Sequence, residues 1–140
     1  SLLSGQDITI DDLFSQTSMN YPEVYRVEMT GKQLKAILED VCDNLFNPDP
    51  FFQQGGDMVR VGGLSYTCHP KNKIGNRISN LRIISSDMLL ESNQKYVVGG
   101  WGSVNQNVKG PAIYNLLESF ISEKKVIKAS SRETVKIVGM

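Results

Sequence analysis

The chain has 140 residues, 40% of them hydrophobic and 21% charged, and fifteen basic side chains balance fifteen acidic ones. That composition suits a single globular domain large enough to bury a core. It lacks a basic excess for nucleic acid, an apolar run near the roughly 18 residues of a membrane span, and cysteines beyond Cys42 and Cys68 for a disulfide framework.

In chain order, the start at Ser-Leu-Leu rather than methionine suits a fragment or processed product, so a missing leader is silent about compartment. Ile8, Ile10, Leu13 and Phe14 predict a strand end running into a short helix, capped by Thr9 or Asp11. "EVYRVEM" (23–29) alternates as a half-buried strand does. Thr30, with Gln33 three residues on, forms a capping box for the next helix. There Leu34, Ile37, Leu38, Val41, Cys42, Leu45 and Phe46 line one face, and Lys32, Lys35, Glu39, Asp40 and Asp43 read as the solvated face. "NPDP" ends this helix, with Asn47 predicted in the left-handed C-terminal position.

Val59 and Val61 then alternate around Arg60 between glycines, as in an interrupted strand. "LSYTCHP" and "RISNLRII", joined by "NKIGN", predict a hairpin. "KYVVGGW" reads as a short buried strand. "PAIYNLLESFISEKK" reads as a helix with the stripe Ile113, Leu116, Leu117, Phe120 and Ile121, and "TVKIV" as a last strand. Strands and helices mix irregularly, which predicts an α+β fold: a mixed β-sheet with flanking helices.

Chemistry-bearing residues are few. Cys68 and His69, adjacent on a strand, point to opposite faces and do not form a nucleophile–base pair. Cys42 and Cys68 read as structural, and His69 as exposed. One histidine and no four-ligand set argue against a zinc or self-contained hydrolytic metal centre, which leaves open only calcium or magnesium held by carboxylates alone. "VGGWGSVN" lacks the third glycine of a dinucleotide fingerprint, and no helix opens at once after it. Trp101 is therefore either a cleft wall or a core residue beside a bulge. Arg60 leaves two readings open. With Gly55 and Gly56 offering backbone N–H groups it suits an anion; otherwise it is a surface arginine on a twisted strand.

The layout "DITIDDLFSQT…YRVEMTGKQLKAILED…GGDMVRVGGLSYTCHP…NRISNLRI…KYVVGGW" resembles the C-terminal domain of the 5′-nucleotidase family over nearly the whole chain. Within that family, the run from Ile37 to Leu64 is most similar to the SoxB branch, thiosulfohydrolases of bacterial sulfur oxidation. The resemblance implies that residues 1–140 form one substrate-binding C-terminal domain. It places a metallophosphoesterase domain with two manganese ions N-terminal to this chain, in a periplasmic enzyme. That enzyme would release sulfate from a cysteine S-thiosulfonate on the SoxYZ carrier. Gly55, Gly56, Asp57, Met58 and Arg60 would then face the metals, with Arg60 on the sulfonate and Trp101 beside the substrate. This chain would supply neither catalytic residue nor metal ligand, and alone it would be inactive.

Two departures from nucleotidases bear on the substrate. Met58 stands where an aromatic stacks on the base, and "GWGSVNQN" replaces an "NGGDG" stretch. Both weaken a nucleotide sandwich and favour a cysteine-bearing peptide. The alternatives are the nucleotide-binding domain of a periplasmic 5′-nucleotidase or sugar-nucleotide hydrolase, and a non-catalytic interaction module.

Overall fold

The computed structural model describes residues 2–18, 20–101, 109–128 and 134–139. The chain divides into two compact units, residues 1–27 with 97–130 and residues 28–96 with 131–140. We call them unit 1 and unit 2. No described helix is long and apolar enough to cross a membrane.

Unit 2 is built on helix α2, Gly31–Phe46, and a four-stranded sheet. Thr30 and Gln33 make the predicted capping box. The first turn also depends on a neighbouring turn: Gly31 N–H donates to the Gln94 carbonyl at 3.1 Å and Lys32 N–H to that of Ser92 at 2.9 Å. Donors that a helix start leaves open are thereby satisfied. The Glu91 carbonyl lies where a Cβ on Gly31 would go, so only glycine fits between the cap and that turn. Leu34, Leu38 and Cys42 are buried at four-residue steps, but Val41 is half-buried and Ile37 is exposed. The covered stripe is thus narrower than the periodicity predicts.

The sheet order is β4-β3-β2-β6, with β2 at Leu64–Cys68, β3 at Ile78–Ile83, β4 at Met88–Leu89 and β6 at Val135–Ile137. Strands β2 and β3 form the expected hairpin, antiparallel with Cys68 opposite Ile78. Strand β6 adds to β2 in parallel, Tyr66 opposite Val135, so the sheet is mixed as predicted. Between the pairs Ser65/Arg82 and Thr67/Ser79 the register slips, and Asn80 takes φ +50° there. Asn80 is the extra residue of a β-bulge. Leu38, Cys42, Tyr66, Cys68, Ile78 and Leu81 make one buried cluster between α2 and the sheet.

Unit 1 contains helix α1, Ile10–Thr17, and helix α3, Ile113–Lys124. Thr9 and Asp12 cap α1 reciprocally, which decides for Thr9 over Asp11. Phe14 and Tyr114 meet with ring centroids 5.3 Å apart. The stripe read from the sequence of α3 is only partly covered: no residue is fully buried, Ile113, Leu117 and Ile121 are half-buried, and Leu116 and Phe120 are exposed. Strand β1, Val24–Thr30, pairs with β5, Lys95–Trp101, as a two-stranded ribbon. Neither is a buried strand. Exposure along β1 does not alternate, and Val97 of β5 is exposed.

Candidate functional site

The segment after α2 is shaped by its own side chains. Pro48 disfavours a helical or left-handed residue before it, so Asn47 is extended (φ −59°, ψ 133°), not left-handed as predicted. Asn47 Oδ1 accepts from Asp49 N–H at 3.0 Å, Asp49 Oδ1 from Phe51 N–H at 3.0 Å, and the Asn47 carbonyl from Gln53 Nε2 at 2.7 Å. These bonds hold a single 3₁₀ turn, Pro50–Phe52, whose two phenyl rings stand edge to face at 5.7 Å. Both rings are exposed, Phe51 at 89%. Sequence reasoning did not single them out.

Gly55 and Gly56 follow with φ of +77° and +97°. A Cβ at either would meet nothing within 4 Å, so backbone conformation and not crowding calls for glycine. Gly55 N–H donates to the Asn44 carbonyl at 3.4 Å, which ties the segment to α2 and leaves that donor engaged. Residues 53–61 are not a strand. Met58 and Val61 both pack on the core cluster, whereas Asp57 and Arg60 are exposed. A three-residue spacing has replaced the predicted two-residue alternation, so Met58 and Arg60 do not share a face. The result is a solvent-facing guanidinium on a segment pinned at Met58 and Val61. Gly55, Gly56, Asp57, Met58 and Arg60 are therefore contiguous. Trp101 ends β5 in the other unit, and its side chain lies outside the described residues, as does "GSVNQNV".

Unit 1 has an open groove of about 810 Å³ lined by Tyr25, Arg26, Gly100, Lys109, Pro111 and Leu116 among others. A Cβ on Gly100 would enter the Tyr25 ring, and one on Gly110 would strike the Val24 carbonyl. Gly100, beside Trp101, thus admits the Tyr25 ring as an aromatic wall. Val24 N–H donates to the Pro111 carbonyl at 3.0 Å and Ile113 N–H to that of Pro22 at 2.7 Å, fixing the groove's two sides. Arg26 and Lys109 bring positive charge to a mainly apolar lining.

Of the helix face expected to be solvated, Lys32 and Asp40 are exposed, but Glu39 is buried and Asp43 half-buried, and these two belong to a charge network with Arg77. Glu39, 4% exposed, accepts backbone N–H groups from Gly75 (2.8 Å), Arg77 (3.2 Å) and Ile78 (2.8 Å). The buried Arg77 guanidinium pairs with Asp43 and donates to the carbonyls of Asn72 (2.7 Å) and Phe46 (3.3 Å). Hydrogen bonds from Arg77 and Asn47 hold the Asp43 carboxyl below the usual range. Cys42 and Cys68 are buried with their sulfurs 3.1 Å apart, and burial, then the Cys68 contact, pushes the Cys42 thiol up to about 12. His69 is half-buried, not exposed, with Nε2 3.0 Å from Ser79 Oγ. Among the described residues no three His, Cys, Asp or Glu side chains gather as a metal site.

This fold and these motifs place the protein. The chain belongs to the 5′-nucleotidase C-terminal domain family, whose model matches residues 1–102. Its structure is similar to that of Thermus thermophilus sulfate thiohydrolase SoxB, solved in complex with glycerol: TM-score 0.85 and 32% identity over 99% of this chain and 27% of that one. A 5′-nucleotidase precursor, also from Thermus thermophilus, is similar at TM-score 0.68 and 16% identity, over 95% of this chain and 28% of that one. Haemophilus influenzae NAD nucleotidase (NadN) is similar at 0.63 and 16%, over 93% and 26%. The two nucleotidases share the fold alone at that identity. A search among curated protein sequences finds no match. The chain spans about a quarter of the length of the solved proteins it resembles.

Proposed function

We propose that this chain is the substrate- and carrier-binding C-terminal domain of a periplasmic SoxB-like hydrolase that releases sulfate from a cysteine S-thiosulfonate on a SoxYZ-type carrier. The supporting observation is the contrast in likeness: 32% identity and TM-score 0.85 to a sulfate thiohydrolase, against 16% and at most 0.68 to the two nucleotidases described above. Two manganese ions held outside this chain would supply the activated hydroxide. The residues here bind and orient. Arg60 offers a planar fork of N–H donors to sulfonate oxygens. Gly55 and Gly56 set the turn that presents Asp57 and Arg60, Met58 anchors it, and Trp101 borders the substrate. The 140 residues alone bind without hydrolysing.

The test uses the full two-domain protein with a peptide carrying a cysteine S-thiosulfonate, and AMP as the competing substrate. Arg60→Ala should lower kcat/KM for sulfate release by about 10–100-fold, the loss of one charged hydrogen-bonding group. Arg60→Lys should restore only part, because lysine lacks the fork. Sulfate release by Arg60→Ala at the parent rate removes Arg60 from the site. Hydrolysis of AMP in place of the sulfonate moves the chain to the nucleotidase reading.

A further inference from the structure

Cys42 and Cys68 are the chain's only cysteines, and they sit on different elements, one in α2 and one closing β2. Their sulfurs nevertheless meet at 3.1 Å, with the residues 0% and 1% exposed. Each position is fixed independently. Cys68 is paired on both sides, with Ile78 in β3 and Ile137 in β6. Cys42 lies on the buried stripe with Leu34 and Leu38. Two thiols facing each other in a dry core exchange at best a weak hydrogen bond. A metal would need further ligands, and no third ligand-bearing residue among those described completes such a set. We infer that Cys42 and Cys68 are joined in a buried disulfide that clips α2 to β2 and closes the loop carrying Gly55–Arg60. This inference is independent of the function proposed above.

The sulfurs have about 1 Å to travel to the bonding distance of about 2.05 Å. Formation is a two-electron oxidation by thiol–disulfide exchange with a small-molecule or protein disulfide. One cysteine thiolate attacks a sulfur of the oxidant and expels a thiolate; the other then attacks the protein sulfur of the mixed disulfide and expels the second. Two thiol protons leave, a Cys–Cys bond replaces the oxidant's bond, and the oxidant becomes two thiols. The thiolate is the attacking form, and burial suppresses it in the folded chain. The exchange therefore belongs to the unfolded or folding chain, after which packing shields the bond. An oxidising compartment suits this chemistry.

The full-length protein should be refolded with oxidised glutathione, alkylated in denaturant without reductant, digested and mapped by mass spectrometry. The expected product is a linked peptide pair containing Cys42 and Cys68, lighter by about 2 Da than the reduced pair. Reduction should lower the melting temperature by roughly 10 °C, the effect of opening a loop of this size. Single variants Cys42→Ser and Cys68→Ser should each leave the other cysteine alkylatable, and should differ in melting temperature from the parent more under oxidising than reducing conditions. Two alkylated cysteines in the oxidised parent, or only mixed disulfides with glutathione, would overturn the inference. So would equal parent–variant differences in both redox conditions.

Discussion

Unit 2 gathers Leu38, Cys42, Tyr66, Cys68, Ile78 and Leu81 into one cluster, while the buried residues described in unit 1 are Leu13 and Thr17. Both units contain helices with apolar stripes, and their sequences look alike in that respect. Helix α2 buries its stripe against a sheet; α3 leaves Leu116 44% and Phe120 47% exposed. Amphipathicity marks a face that favours cover without saying that this chain supplies it. Unit 2 is consequently the scaffold. It holds the arm with Arg60 by packing Met58 and Val61 on the cluster. Unit 1 shapes an open groove from close backbone approaches at Gly100 and Gly110.

The largest effect should come from Glu39→Ala. It strips three backbone donors of their acceptor, two of them, on Arg77 and Ile78, buried, at about 1–3 kcal/mol for each group left buried without water. A loss of roughly 3–5 kcal/mol in denaturant unfolding is expected. A loss under about 1 kcal/mol would show that water replaces the carboxylate and that the network is not structural. Next comes a matched pair. Leu38→Ala should cost on the order of 2–5 kcal/mol through lost burial plus a cavity, because Leu38 is 4% exposed. Leu116→Ala, from a half-open site, should cost less than about 1 kcal/mol. Equal losses would erase the distinction between the units.

Much of the scaffold was legible because its signals are local. The Thr30–Gln33 box, the four-residue steps of Leu34, Leu38 and Cys42, and the turn residues between β2 and β3 sit within a few positions of what they determine. The charge network was not legible. Glu39 and Asp43 look like an outer helix face until Arg77, 34 residues beyond Asp43, comes back beside them. The 53–61 arm misled for a different reason: Val59 and Val61 alternate, but no strand pairs with them and Gly55, Gly56 and Gly63 turn the chain through positive φ. Arg60 was visible as an exposed cation. The groove around Tyr25, Arg26 and Lys109 was not, since its walls come from segments far apart in sequence.

A smaller effect should appear with pH, and it belongs to unit 2. Asp43 binds its proton at lower pH when folded than the ordinary 3.8, first because Arg77 bonds to it and then because Asn47 does. Its stabilisation is complete above 3.8 and is lost as pH falls through the depressed folded value. Asp43→Asn should therefore have a flatter acid limb than the parent below that pH, read as unfolding midpoints across a pH series. The alkaline limb has the opposite sign. Cys42, raised from 9.0 to about 12, and Tyr66, raised from 10.0 to about 12, stay protonated in the fold while the unfolded chain ionises. Stability should fall as pH rises from 9 in the reduced protein, and only from 10 once the cysteines are oxidised. Identical alkaline limbs in the two redox states would mean that the Cys42 thiol does not contribute.

The smallest effect should be at Tyr66, where the sign is informative. The residue is 3% exposed in the middle of the cluster, and its Oη finds no hydrogen-bond partner among the described residues. Burial is also what raises its pKa, ahead of the neighbouring Cys68 and Cys42. A buried hydroxyl without a partner costs about 1–3 kcal/mol of lost hydration, whereas the ring contributes packing that phenylalanine keeps. Tyr66→Phe should thus be neutral or more stable by up to about 1 kcal/mol, in contrast to nearly every other core change in unit 2. Thermal melts of parent and variant under reducing conditions decide it. A clear destabilisation would mean that the hydroxyl has a partner, such as a buried water. Unit 2 would then contain a second polar network beside that of Glu39 and Arg77, and its core would be less purely apolar than the cluster around Ile78 suggests.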